Sequence, residues 1–335
     1  MNMAKWVADT IASPAKKGFP VLSFPAIQKM DVAVKDLIGS ADLQAEAMRL
    51  VAESTPSAAS VSFMDLSVEA ESFGSRTVFR DDGAPTVVGS VVGTDADMDA
   101  LAVPEATDGR CGLYVDAVRK AVPLIGDRPV FAGTIGPFSL AALLCGVNEI
   151  MLLCYDEPEF VESLLEKVSA FLVEYARAFK EAGADGVVMA EPLAGLLSPD
   201  LAAQFSGPYV KAIVEAVQDE GFGVVYHNCG PGVIKQIDSI VSNGAMGYHF
   251  GNAIDMADVL PLMPSDRLVM GNVDPAAEFR HGTPESVRAK TLEVLESCAS
   301  YPNFVPSSGC DIPPMSPWEN IDASFDAVDE FYGKN

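Results

Sequence analysis

The sequence predicts an α/β protein, a single (α/β)8 TIM barrel with a short helical extension in front of it. Three observations carry this. Eight apolar, β-branched runs recur along the 335 residues, each followed by a helical pattern, and eight is the number that closes a barrel. The runs do not alternate apolar with polar, as expected of strands buried on both faces. No GxGxxG turn follows the first run, which weakens the competing dinucleotide-binding open sheet.

Residues 1–18 read as an amphipathic helix with no long apolar stretch, so not as a signal peptide. The barrel is expected over 19–335, as one domain. Its strands are placed at 19–24 (FPVLSF), 57–63 (SAASVSF), 130–136 (VFAGTIG), 185–191 (DGVVMAE), 223–229 (GVVYHNC), 245–251 (AMGYHFG), 267–273 (RLVMGNV) and 303–310 (NFVPSSGC). The clearest helices are 158–183, stopped by Gly183, and 285–300. The Gly- and Asp-rich stretch 80–112 looks like an insertion. No internal repeat or linker is evident.

Composition narrows the function. A net charge of -25 and a pI near 4.3 argue against nucleic acid and anionic membranes, both of which call for Lys and Arg. No run approaches the ~18 apolar residues of a membrane span. Six cysteines in a chain of this size do not read as a secreted disulfide framework. A reducing, cytoplasmic location is expected.

Active sites of such barrels lie at the C-terminal ends of the strands. The unusual polar residues fall there: Asp65, Glu191, His227 with Cys229, His249, Asn272 with Asp274, and Cys310. His227 and Cys229 share a parity, so on an extended strand they point to one side. They are either half of a metal site or a packed pair at the end of a core strand. Cys310, between a glycine and a run rich in proline, is the candidate third ligand, which would complete a Cys2His zinc set with an open position. Glu191 reads as a fourth ligand, a general base or a loop cap. Cys145, Cys154 and Cys298 lie in helical apolar patterns and are expected to act as small hydrophobes. Cys111, after Arg110 in an expected loop, receives no role. His281 precedes a Thr able to cap the next helix and is expected at the surface.

Four segments, MDLSVEAESFG (64–74), GPFSLA (136–141) with Gly146 beyond it, GNVDP (271–275) and GCDIPPMSPWEN (309–320), together resemble the uroporphyrinogen decarboxylase superfamily, in order, from about residue 19 to 325. The resemblance implies a barrel with its site in the mouth. The decarboxylase branch has an arginine-rich segment after the first strand, whereas the first arginine here is Arg49. That branch also has His where this chain has Cys310, and Asp65 alone matches its catalytic aspartate. The methylcobamide:coenzyme M methyltransferase branch is marked by H-x-C and a distant Cys that bind Zn2+, a pattern that His227, Cys229 and Cys310 match. That resemblance implies a zinc-dependent transfer of a methyl group from a methylated corrinoid, carried on a corrinoid protein, to a small thiol such as coenzyme M. Glu191 would occupy or guard the fourth position. Asp65, Asn272, Asp274 and, more loosely, Tyr248 and His249 would line the mouth. The close alternative is a first-step enzyme that demethylates a small methylated substrate onto a corrinoid protein; the decarboxylase is more remote.

Overall fold

The computed structural model describes residues 1–333; the last two residues of the expected barrel domain lie outside them. Nine strands form: β1 (Ser60–Val61), β2 (Arg76–Val78), β3 (Thr86–Val88), β4 (Val130–Ile135), β5 (Gly186–Ala190), β6 (Gly223–Asn228), β7 (Gly247–Phe250), β8 (Leu268–Val273) and β9 (Phe304–Ser308). Seven make one parallel sheet in the order β1-β4-β5-β6-β7-β8-β9, with helices between consecutive strands. Right-handed crossovers are the rule for such a chain and lay the helices over the outer face.

Seven of the eight expected strands are therefore found, and the first is not. The run at 19–24 is extended but makes no regular ladder. It sits at the seam between the two ends of the sheet, where Phe19 N–H donates to Pro306 O (2.9 Å) and Ala58 N–H donates to Gly18 O (2.8 Å). Pro20 has no N–H to give, and the next amide, Val21, donates to the Ser308 hydroxyl at 3.1 Å rather than to backbone. Proline chemistry thus replaces ladder bonds with side-chain bonds at the seam.

Strand residues alternate between two cores. On β5, Val188 and Ala190 face inward while Val187 and Met189 pack under the helices; on β6, Val225 faces inward and Val224 outward. Helix Met3–Ala12 closes the inner core from below, with Met3 and Val7 buried and Trp6 set edge-on to Phe19 at 6.3 Å. The predicted helices form as Pro158–Glu181 and Pro284–Cys298, the second opened by a Thr283 capping box just after His281, which is exposed. Within the expected insertion, β3 pairs with β2 as a small antiparallel sheet that the sequence reading missed. Cys111 lies not in a loop but in helix Gly109–Ala121. No single described helix is long and apolar enough to cross a membrane; the apolar stretch around 137–156 is a helix pair bent by 104° at Gly146.

Candidate metal centre

His227 is the penultimate residue of β6 and faces inward, because Tyr226 and Val224 are turned to the helices. Cys229 follows one residue beyond the strand. Cys310 arrives from the turn after β9, three strands away in the sheet order. The ligand atoms of these three residues lie within 4.8 Å of one another, the only such His/Cys/Asp/Glu group found among the described residues. Cys310 Sγ is 3.5 Å from His227 Nε2. Two thiols and an imidazole, with His227 buried and both cysteines half-buried, form a donor set that fits zinc in its catalytic, three-ligand form.

The thiols are coupled. The hydrogen bond to Cys310, with partial desolvation, pushes Cys229 up to about 12, and the same bond lowers Cys310 below the ordinary thiol range. Close packing fixes the pocket wall: a Cβ on Gly251 would lie 2.4 Å from the Cys229 Cβ, so only glycine lets the β7 end approach so near.

His249 is the Cα partner of His227 across β6 and β7. Its Nδ1 is 2.7 Å from His227 Nδ1, and its Nε2 is 2.8 Å from the Ser307 hydroxyl. His227 Nδ1 is also 3.2 Å from the His249 carbonyl oxygen. Burial and the neighbouring His227 hold His249 well below the usual histidine range, so it is neutral.

The remaining predicted residues are placed differently. Glu191 is fully buried at the end of β5, with its N–H donating to His227 O at 2.8 Å, but its carboxylate lies outside the converging group. It accepts from Ser139 N–H (3.0 Å), in the first turn of helix Pro137–Cys145, and from the Ser206 hydroxyl (3.1 Å). Burial pushes it up to about 7. Asp65 is also spoken for: Oδ1 accepts from Ser67 N–H and Oγ, and Oδ2 from Arg110 (2.5 Å) and Tyr114 OH (2.9 Å). The Asn272 amide donates to Gly251 O and Ile254 O, holding the loop after β7. Asp274 accepts from Ala276 N–H, Ala277 N–H and the Asn252 amide. Both line a polar cavity of about 440 Å3 beside helix Pro284–Cys298, in company with Cys298 rather than with the three metal-ligating candidates. Tyr248 is turned out to the helix layer, where its OH donates to Val241 O at 3.1 Å. Adjacent strand residues face opposite sides, so Tyr248 and His249 were never able to share one mouth.

Sequence reasoning missed Arg110, which joins Asp65 to Glu71 (2.6 Å) from the first turn of helix Gly109–Ala121. No local signal marked it, because Arg110 and Asp65 lie 45 residues apart in sequence and meet only in the fold.

Comparison with known proteins agrees with this architecture. The uroporphyrinogen decarboxylase (URO-D) family model matches residues 21–331. The methylcobamide:CoM methyltransferase MtbA of Methanosarcina acetivorans is 31% identical over 261 residues, 77% of this chain and 75% of that one. The uroporphyrinogen decarboxylase of Coxiella burnetii is 27% identical over 266 residues, 75% of this chain and 72% of that one. A solved methyltransferase from Methanosarcina mazei superposes with a TM-score of 0.86 at 24% identity, covering 99% of both chains, and so shares the fold. With the parallel sheet, the seam and the site at the strand ends all in place, the chain belongs to the uroporphyrinogen decarboxylase family.

Proposed function

We propose that this protein is a zinc-dependent methyltransferase that moves a methyl group from a methylated corrinoid, presented by a corrinoid protein, to a small thiol such as coenzyme M. The observation that carries the proposal is the convergence of His227, Cys229 and Cys310 from two separate strand ends. Decarboxylation of a polyanionic substrate needs cations, and the one buried guanidinium beside Asp65, that of Arg110, is already committed to Asp65 and Glu71. The greater identity to MtbA than to the decarboxylase relative points the same way. An enzyme acting in a reducing cytoplasm suits six free cysteines, and residues 19–335 are read as one domain whose sheet the 19–24 segment closes.

His227, Cys229 and Cys310 would hold the zinc. Bound there, zinc would lower the pKa of the acceptor thiol and favour its nucleophilic thiolate. The chain's own groups shape the rest. Two cysteine ligands bring negative charge, which keeps electron density on the acceptor sulfur. Glu191 would be free to act as a further ligand only if released from Ser139 and Ser206, so those two bonds would keep it in reserve. Asp65, locked by Arg110, sets the wall formed by the β1 end. In the transfer a carbon–sulfur bond would form as the carbon–cobalt bond of the donor breaks, the cobalt keeping the electron pair, and the thiol proton would pass to solvent.

The test is demethylation of methylcobalamin by coenzyme M and by other thiols, followed through the methyl–cobalt absorbance. The expected result is thiol-dependent loss of that absorbance in protein carrying about one zinc per chain, and none in Cys310→Ala. Zinc-loaded protein that transfers no methyl to any thiol would sink the proposal.

A further inference from the structure

We propose that His249 and Ser307 are positioning residues that fix the tautomer of His227, leaving its Nε2 lone pair bare for the metal. The inference rests on reading His227, Cys229 and Cys310 as the ligand set, but its core is a matter of hydrogen-bond direction.

The chain of bonds has two anchors that can only accept. Ser307 Oγ lies 2.7 Å from the backbone carbonyl oxygen of Phe19. A carbonyl has no proton to give, so the single Ser307 hydroxyl proton points at Phe19 O. Ser307 Oγ then meets His249 Nε2, 2.8 Å away, as an acceptor, and the proton of His249 sits on Nε2. A neutral imidazole with its proton on Nε2 presents Nδ1 as a lone pair. His227 Nδ1, at 2.7 Å from that lone pair, must be the donor. The second anchor gives the same answer: His227 Nδ1 is 3.2 Å from the His249 carbonyl oxygen, which also only accepts. Both neighbours of Nδ1 call for a proton there, so Nε2 carries none. Nε2 is the atom that faces Cys310 Sγ at 3.5 Å.

The opposite tautomer would set lone pair against lone pair at Nδ1 and leave a proton where the metal must bind. Geometry decides between the two, since the buried rings see little solvent that would offer another partner. Metal-ligating histidines in general need the far nitrogen held by an acceptor. Here that acceptor is a second histidine, itself oriented from the seam of the sheet. Sequence reasoning gave His249 a place against substrate; the structure assigns it to the ligand behind the metal.

The test uses protein labelled with 15N on histidine, which has three imidazoles in all, one of them the exposed His281 as reference. In metal-free wild type the expected spectrum shows His227 protonated on Nδ1 and His249 on Nε2. His227 protonated on Nε2 would overturn the proposal. A second measurement is zinc affinity by competition with a chromophoric chelator. Ser307→Ala is expected to weaken it about 10-fold or more, within the 10- to 100-fold range of such supporting partners, and Ser307→Thr to restore it. Unchanged affinity and an unchanged His227 tautomer in folded Ser307→Ala would also overturn it. If wild type shows the expected tautomers but takes up no zinc, the relay stands and the methyltransferase reading fails, so the two are separable.

Discussion

Two polar clusters stand at the C-terminal ends of the strands, and they differ in what they leave unfinished. Around Asp65, every lone pair is taken: four donors from Ser67, Arg110 and Tyr114 fill both carboxylate oxygens. Around His227, the ligand atoms of three residues converge within 4.8 Å of one another. The Asp65 cluster buries charged residue types that are seldom buried, whereas cysteine, in the other, often is. The filled one has spent its chemistry on structure, and the unfilled one still has it to offer. Saturation, more than burial or charge, separates a scaffold cluster from a binding cluster.

The largest break in that contrast comes from Cys310→Ala. Removing one of three ligands is expected to abolish zinc binding, from about one per chain to near none by elemental mass spectrometry, with thermal stability little changed. Asp65→Ala should do the reverse. It leaves the Arg110 guanidinium, whose side chain is only 12% exposed, with Glu71 as its one carboxylate, takes the acceptor from the buried Tyr114 OH, and should cost about 2–4 kcal/mol in denaturant unfolding while zinc content persists. A zinc loss there would erase the distinction between the clusters.

Glu69 sharpens the picture on the Asp65 side. It is buried, accepts from Thr134 Oγ1 (3.0 Å) and Ile135 N–H (2.9 Å) through one oxygen, and is pushed up to about 7, chiefly by burial. A carboxyl raised on folding binds its proton more tightly in the native state. Its contribution is therefore whole below its unfolded value near 4.5 and is lost as the pH rises through about 7. The Glu69 share of the wild-type loss across that window is up to about 3 kcal/mol, so Glu69→Gln should reduce the slope and leave the part due to the equally raised Glu191. The smallest effect is expected of Tyr114→Phe, which removes one of four donors to Asp65. A loss of about 1–2 kcal/mol, with zinc affinity untouched, would confirm a network with margin.

Much of this was legible beforehand, for reasons tied to particular residues. Unbroken apolar runs located seven strands, and the shared parity of His227 and Cys229 placed both on one side of β6. What could not be read was partnership. Nothing local says that Ser139 and Ser206 occupy Glu191, or that Arg110 locks Asp65, because those contacts join distant segments. Pro20 did carry a local signal: with no N–H, it spoils the ladder at 19–24. Tyr248 was a plain error of parity against His249.

One consequence concerns the order of assembly. The bond from Ser307 to Phe19 joins residues 288 apart, nearly the length of the chain. Contacts of that span are the slowest to form. β9 also follows β6 in the chain, so His227 and Cys229 are synthesised before the third member of the set, Cys310. The seam, and the donor set behind it, should thus be the last part of the molecule to acquire its native form. Pulse-labelled hydrogen exchange during refolding would show the amides of Phe19 and Val21 protected after those of β5 and β6; earlier protection would mean that the two ends of the sheet meet first.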